Sequence, residues 1–105
     1  MKRLEEIFGN NQREVESAKV IFHHAAQIAS TSNGNSNPVP LVEVAKACAK
    51  DLIAVDASTR SPHPVNYVNI IEQLKQHVYF IIDADGRISV PQEAKRFFEE
   101  NYMTA

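Results

Sequence analysis

The chain has 105 residues, of which 44% are hydrophobic and 23% charged, and its formal net charge at pH 7 is −2. This length supports one modest hydrophobic core, so we expect a single domain over residues 1–105. The composition is too apolar for a disordered chain, and no apolar run approaches the ~18 residues of a membrane-spanning helix. The single cysteine, Cys48, excludes an internal disulfide and fits a reducing compartment. We therefore predict a cytoplasmic protein without a signal peptide or a membrane partner.

The first long segment with helical spacing covers residues 14–29. Apolar residues recur there every three or four positions, which predicts an amphipathic helix. The stripe, nearly half the circumference wide, contains Val15, Ala18, Ile21, Phe22, Ala25, Ala26, Ile28 and Ala29. Residues 30–37 are all Ser, Thr, Asn or Gly, and this composition predicts a mobile loop.

Two further helices are predicted between residues 38 and 77. Val39 stands between Pro38 and Pro40 and is expected to be extended, because a residue before proline avoids the helical region. Residues 41–53 have helical spacing, and 54–64 are expected to form a loop. One face of the 41–53 helix carries Leu41, Val44, Ala45, Cys48, Ala49 and Leu52. Residues 65–77 return to helical spacing, with a buried stripe of Tyr67, Ile70, Ile71, Leu74 and Val78.

The rest of the chain reads as a hairpin followed by a helix. Residues 78–82 are β-branched or aromatic, which favours a buried strand. The Asp-Ala-Asp-Gly sequence of residues 83–86 is typical of a hairpin turn, and residues 87–90 return as the second strand. Pro91 then opens a terminal helix that extends to residue 102. Three helices followed by a hairpin, with Val39 as a short first strand, predict an α+β fold of winged helix-turn-helix type.

Three segments resemble the LOTUS (OST-HTH) modules. They are residues 40–44 (PLVEV), residues 66–74 (NYVNIIEQL) and the strand-turn-strand of residues 78–90. The resemblance covers about residues 20–90, although Asn66 stands where the family has glycine before the tyrosine. It implies a winged helix that binds RNA or docks a helicase-like protein partner.

The exposed side of the 65–77 helix supplies the candidate binding residues. Four neutral amides share one face at helical spacing: Asn66, Asn69, Gln73 and Gln76. In a winged helix this is the recognition helix, and Asn or Gln can pair with adenine through two hydrogen bonds. Lys75 at its flank and Arg87 on the hairpin complete the candidate nucleic-acid or partner site. A merely solvated helix face is the alternative reading.

Other reactive residues do not form a recognisable site. The turn at residues 83–86 fails as a calcium loop, because Ile81 and Gln92 occupy the positions that need acidic ligands. His23 and His24 are adjacent and diverge around a helix, so they cannot chelate one ion. Cys48 lies on an apolar face without a histidine–acid pair. We therefore expect no catalytic residue, no metal and no cofactor, and a chain that is not an enzyme.

Two functions of different class remain open. The first, which is the leading hypothesis, is a regulator that binds RNA or DNA, because this is the commonest role of a winged helix. The second is a protein-interaction adaptor on the same scaffold. Charge favours the adaptor, because residues 38–90 contain five basic and six acidic side chains. Two of the acids, Asp83 and Asp85, lie in the hairpin turn, where they would repel a phosphate backbone.

The first and last helices carry more apolar surface than a small core needs. Phe97 and Phe98 are neighbours and diverge by ~100° around the terminal helix, and Tyr102 follows one turn later. We therefore predict a homodimer whose interface contains these three aromatic residues. The alternative is that the two helices pack on each other within one chain.

Overall fold

The computed structural model describes residues 2–9, 11–29, 38–59 and 67–103. It contains five α-helices, three short strands and a terminal π-helical turn. In chain order they are α1 (Leu4–Phe8), α2 (Gln12–Ala29), β1 (Val39–Pro40), α3 (Leu41–Thr59), α4 (Tyr67–Gln76), β2 (Ile81–Ile82), β3 (Arg87–Ser89), α5 (Gln92–Phe98) and the π-helical turn (Glu99–Met103). The predicted α+β class is confirmed.

Helix α2 is the centre of the fold, and α1, α3, α4 and β3 all pack against it. Its apolar stripe matches the prediction from residues 14–29, because Ala18, Phe22 and Ala25 are fully buried. Burying that stripe is the main stabilising contribution that a helix of this kind makes. The wide stripe does not face one neighbour only, since helices lie on both sides of it.

The three strands form one antiparallel sheet in the order β1–β3–β2. Val39 lies opposite Ile88 and Pro40 opposite Arg87, so the predicted pairing of Val39 with the hairpin is confirmed. The carbonyl of Gly86 accepts a hydrogen bond from the backbone N–H of Leu41, which joins the turn to the start of α3. Ile88 is fully buried and attaches this small sheet to the core.

Two predicted boundaries are wrong. Helix α3 extends to Thr59, so residues 54–59 are helical rather than part of a loop. Ala54, Val55 and Ala57 do not interrupt a helix, and the next proline after Pro40 is Pro62. The predicted strand over residues 78–82 is reduced to Ile81–Ile82. Residues 30–37 and 60–66, which include the predicted mobile loop and Asn66, lie outside the described residues.

The end of α4 explains why the strand begins late. Val78 has a φ of +64°, in the left-handed region, and its N–H donates to the carbonyl of Lys75. The next N–H, that of Tyr79, reaches back to the carbonyl of Leu74. These two bonds form a Schellman cap, which normally has glycine at the left-handed position. The cap turns Tyr79 and Phe80 into the core, where both are buried. The prediction that Val78 belongs to the buried stripe is wrong, because the cap leaves this residue exposed.

Helix α1, which the sequence pattern did not predict, closes the other end of the core. Leu4 is fully buried and Phe8 is nearly so. Five residues are too few for a stable isolated helix, and Arg3 provides no side-chain cap. The helix is held instead by residues from the opposite end of the chain.

Candidate functional site

Helix α4 presents the predicted binding residues on its outer surface. Its buried side consists of Ile70 and Leu74. Asn69 and Gln76 are exposed and Gln73 is half-buried, so the described amides form a row along one side. Lys75 is exposed, but helical spacing places it closer to Ile71 than to that row. Helix α4 therefore has an amide side and a second side that is apolar with one cation.

The hairpin turn next to this helix is acidic. One carboxylate oxygen of Asp83, Oδ1, accepts hydrogen bonds from the backbone N–H groups of Asp85 and Arg87, both at 3.0 Å. Gly86 adopts a φ of +75°, as the predicted turn requires. Asp83, Asp85 and Arg87 are all exposed. The candidate residue Arg87 thus lies beside two acids, and the tip of the hairpin carries net negative charge.

An apolar groove separates α3 from α4, and we call it the α3–α4 groove. Both helices pack on α2, whose Ile21 contributes to the floor. The groove has a volume of about 320 Å³ and is open on one side. Its lining residues are Ile21, Leu41, Val44, Ala45, Cys48, Ala49, Leu52, Ile53, Tyr67 and Ile71.

Small side chains keep the groove open. Helical spacing predicted that Ala45 and Ala49 share one face with Val44, Cys48 and Leu52. The structure buries those three residues but leaves both alanines exposed. Large apolar side chains at the rim of the groove, and next to it, extend the apolar surface. Ile53 is 69% exposed, Val68 on α4 is 78% exposed and Val42 on α3 is 55% exposed. An apolar surface of this kind is typical of an interaction site.

The edges of the groove carry positive charge. Lys46 and Lys50 on α3 and Lys75 on α4 are exposed, and none of them forms an ion pair with any residue that the structure describes. Helical spacing places Lys46 four residues from Val42, and Lys75 four residues from Ile71. The nearest acids are Glu43, one turn from Lys46 on α3, and Glu72, one turn from Lys75 on α4, so the three lysines outnumber the acids beside the groove by one.

The aromatic residues predicted for a dimer interface pack within the single chain. Phe98 is 4% exposed, and its ring centroid lies 4.5 Å from that of Phe22. Phe97 lies edge-on to Tyr79, at 6.2 Å, and Tyr102 lies 5.1 Å from Phe98. This matches the alternative in which the first and last predicted helices pack on each other. The homodimer itself stays a prediction.

Two tyrosine hydroxyl groups attach the N-terminal segment to this aromatic cluster. The hydroxyl of Tyr102 accepts a hydrogen bond from the N–H of Leu4 at 2.8 Å and donates one to Glu5 at 2.9 Å. It therefore caps the first turn of α1. The hydroxyl of Tyr79 donates to the carbonyl of Lys2. Burial, with the neighbouring Glu5, raises the pKa of Tyr102 to about 12, and burial also raises the pKa of Tyr79.

Histidine and cysteine side chains do not assemble into a reactive site in the described part of the chain. His24 Nε2 lies 2.7 Å from Asp51 Oδ2 and joins α2 to α3. The pKa of the Cys48 thiol is raised by burial, which disfavours the thiolate needed of a nucleophile. Among the described residues, no group of three or more His, Cys, Asp or Glu side chains could hold a metal ion.

Comparison with known proteins does not assign the site. No protein-family model, curated protein or solved structure matches the chain significantly. Within the described residues, no helix combines the length and the apolar character needed to cross a membrane.

The sequence analysis missed the α3–α4 groove as a site. Its signal was present in the spacing of Val42, Ala49 and Ile53, which continue an apolar stripe past the arc that the core uses. The predicted helix over residues 41–53 already contains these three positions, but helical spacing alone does not show that α4 lies beside them.

Proposed function

We propose that this chain is a non-catalytic protein-interaction module built on a winged-helix scaffold. The element order and the sheet order β1–β3–β2 support the scaffold, with β2 and β3 as the wing and α4 in the position of the recognition helix. The observation that carries the function is the α3–α4 groove, an apolar surface next to that helix. The same scaffold serves many functions, so the argument depends on the surface and not on the fold.

Charge weighs against nucleic acid as the main partner. Phosphate contacts provide most of the affinity for DNA or RNA, and they require cationic groups. On α4 the amide row carries no cation, because Lys75 lies towards Ile71, and on the wing Arg87 is outnumbered by Asp83 and Asp85. A surface with this balance would repel a phosphate backbone. The exposed side chain of Val68 on α4 is better suited to contact with an apolar protein surface than with a phosphate backbone.

Nucleic-acid binding is the second candidate, and the amide row of α4 favours it. Asn69 and Gln76 are exposed on the helix that a winged helix uses for base recognition. Amide side chains also suit protein interfaces, where burying them costs less than burying charge. The same residues are therefore compatible with both candidates, and only a binding measurement separates them.

The first experiment measures binding of labelled DNA and RNA oligonucleotides of mixed sequence at about 50 mM and about 200 mM salt, since electrostatic binding is strongest at the lower concentration. We expect no saturable binding at either concentration. Binding that weakens with salt and is lost in N69A and Q76A, but not in the α2 surface variant Q27A, would establish the second candidate instead.

The second experiment tests for a protein partner directly. A photo-crosslinking amino acid replaces Ile53 in the groove or Ala47 on the same helix, and the chain is expressed in its source cells. Both positions are exposed, but only Ile53 lines the groove. We expect a protein adduct of defined mass from position 53 alone, and its loss when A49Q is added. Equal adducts from both positions, or none, would refute the proposed function.

A further inference from the structure

We propose that the α3–α4 groove binds an amphipathic helix whose apolar stripe is flanked by acidic side chains, supplied by a different protein. This inference rests on the proposed function, because it specifies the partner of the same surface. It combines the apolar lining of the groove with the lysines along its edges.

The shape of the groove suits a helix. The exposed apolar positions of α3 that border it are Val42, Ala45, Ala49 and Ile53, at spacings of three, four and four. They extend over roughly 17 Å at 1.5 Å per residue, or about three helical turns. Across the gap, α4 contributes Tyr67 and Ile71. Two helices on a shared floor form the kind of trough into which a third helix inserts its apolar side chains.

The alanines determine how closely that helix can approach. Ala45 and Ala49 project little beyond the backbone of α3, so a leucine or isoleucine of the partner can reach the floor at Val44 and Cys48. Both floor residues are almost fully buried and present apolar surface. Removing a partner side chain of this size from water stabilises the complex in proportion to the apolar area that is buried. Two or three such anchors give the groove its affinity.

The edge charges specify the flanks of the partner. Lys46 and Lys50 border the α3 side and Lys75 borders the α4 side, without ion-pair partners among the described residues. A helix seated between them places the residues beside its apolar stripe within reach of these ammonium groups. Acidic flanks would be attracted and basic flanks repelled. Such edge charges act more on partner choice and association rate than on total affinity.

The same charges argue against a second copy of this chain as the occupant. A two-fold contact between two grooves brings each surface against itself. Such a contact would bring six lysines, Lys46, Lys50 and Lys75 of both copies, into one interface, and this accumulation of like charge disfavours the pairing. A small apolar molecule would fill the floor but leave Ile53, Val42 and Val68 uncovered. A helix covers both the floor and these borders.

The test uses three synthetic helical peptides of about 15 residues, the length at which isolated helices become marginally stable. All carry the same leucine stripe, and the flanking residues are Glu, Gln or Lys. Binding to the full chain is followed by fluorescence anisotropy and by NMR shifts of α3 and α4. We expect the Glu peptide to bind tightest and the Lys peptide weakest, with each step weakened by added salt.

Variants of the chain locate the binding surface and its charge. A49Q fills the groove, whereas A47Q makes the same neutral change at an exposed alanine of α3 that does not line it. We expect at least tenfold weaker peptide binding for A49Q and wild-type binding for A47Q. The double reversal K46E/K75E should invert the peptide order, so that the Lys peptide binds best. The reversal R96E on α5, outside the groove, should leave the order unchanged.

The outcomes separate this inference from the proposed function. Equal or tighter binding of the Lys peptide to the wild type would overturn the acidic partner. Failure of all three peptides, together with a groove-specific crosslinked protein, would overturn the helical partner and leave the proposed function standing. A dimer by light scattering that A49Q converts to a monomer would assign the groove to a second copy. If neither peptide nor crosslink forms, both proposals are wrong.

Discussion

The two sides of α2 are closed in different ways. On one side Phe22 is surrounded by Tyr79, Phe80 and Phe98, with ring centroids 4.5–5.6 Å away. On the other side Ile21 lies at the floor of the α3–α4 groove. We call these the aromatic side and the groove side. On the aromatic side the chain's own rings pack around Phe22, although a cavity of about 470 Å³ with a partly polar lining opens beside Phe22 and Phe98. On the groove side an apolar gap remains between two helices.

The difference follows from side-chain size. Aromatic residues fill volume and bind the termini, since the hydroxyls of Tyr79 and Tyr102 hold the segment before and within α1. The alanines of α3 cannot span the gap to α4. Protein interiors are normally close-packed, so an unfilled apolar surface is costly unless something covers it. The comparison therefore separates the part of the chain that maintains the fold from the part that is available for binding.

The largest expected change in stability comes from one of two matched variants, each of which places an aspartate on one side of α2. F98D buries a carboxylate in the aromatic cluster, and we expect a loss of about 4 kcal/mol or more in the free energy of unfolding. I53D makes a comparable change at a position that is 69% exposed, and we expect a change within about 0.5 kcal/mol. Urea unfolding followed by circular dichroism measures both. Similar losses in the two variants would contradict the comparison.

The same variant tests the predicted homodimer. If Phe98 lies at an interface between copies, F98D should yield a folded monomer by light scattering. Because Phe98 packs on Phe22 within one chain, we expect loss of structure instead. A wild-type mass near 11.8 kDa, the mass of one chain, would reject the dimer independently.

The hydroxyl of Tyr102 should give the next largest effect. Y102F leaves the N–H of the buried Leu4 without its acceptor, which costs about 1–3 kcal/mol when the group stays buried. We expect α1 to detach first. Hydrogen exchange at residues 4–8, compared with that at α3, measures this local loss. Uniform destabilisation of both helices would show that the hydroxyl does not cap α1 specifically.

The pH dependence of stability offers a second measure of the same contact. The pKa of Tyr102 is about 12 in the fold and about 10 in an unfolded chain. The folded state therefore holds this proton more tightly, so its contribution is complete below about pH 10 and is lost as the pH rises towards 12. We expect the unfolding free energy to fall over that window, and to fall less steeply in Y102F. Tyr79, whose pKa is also raised, accounts for the remaining slope.

The sequence was sufficient for the α+β class and for the buried stripe of α2, because a wide apolar stripe constrains a long helix strongly. It also predicted the hairpin turn and the pairing of Val39, which depend on local residues such as Gly86 and Pro40. It did not predict α1. Leu4 and Phe8 show too little periodicity in five residues, and a tyrosine 98 positions away caps the helix.

The candidate site was predictable only in part. Helical spacing identified the amide row of α4, and Asn69 and Gln76 are exposed as expected. Spacing alone could not show that Ala45 and Ala49 are exposed, because this depends on the separation between α3 and α4. Distances between helices are determined by tertiary packing. The groove therefore required the structure, although its exposed stripe of Val42, Ala49 and Ile53 lies within the helix predicted over residues 41–53.

A smaller change in the free energy of unfolding, and a stabilising one, is expected at the C-terminal end of α4. Val78 occupies the left-handed position of the Schellman cap, where a β-branched residue is strained by roughly 1–2 kcal/mol. V78G removes that strain but adds freedom to the unfolded chain, which offsets part of the gain. We expect a net stabilisation of about 1 kcal/mol by urea unfolding. Destabilisation would mean that the Val78 side chain contributes packing that outweighs the strain.

The smallest expected effect concerns Ser17, a fully buried residue of α2 one helical turn before Ile21. Its hydroxyl oxygen has no hydrogen-bond partner in the described part of the chain. An unpaired buried hydroxyl is destabilising, so S17A should raise the free energy of unfolding by about 0.5–1 kcal/mol. S89A is the matched control, because the Ser89 hydroxyl lies 3.5 Å from the carbonyl of Ile81 and its loss should not stabilise. If S17A destabilises the chain, the Ser17 hydroxyl makes a stabilising contact that outweighs the cost of burying it.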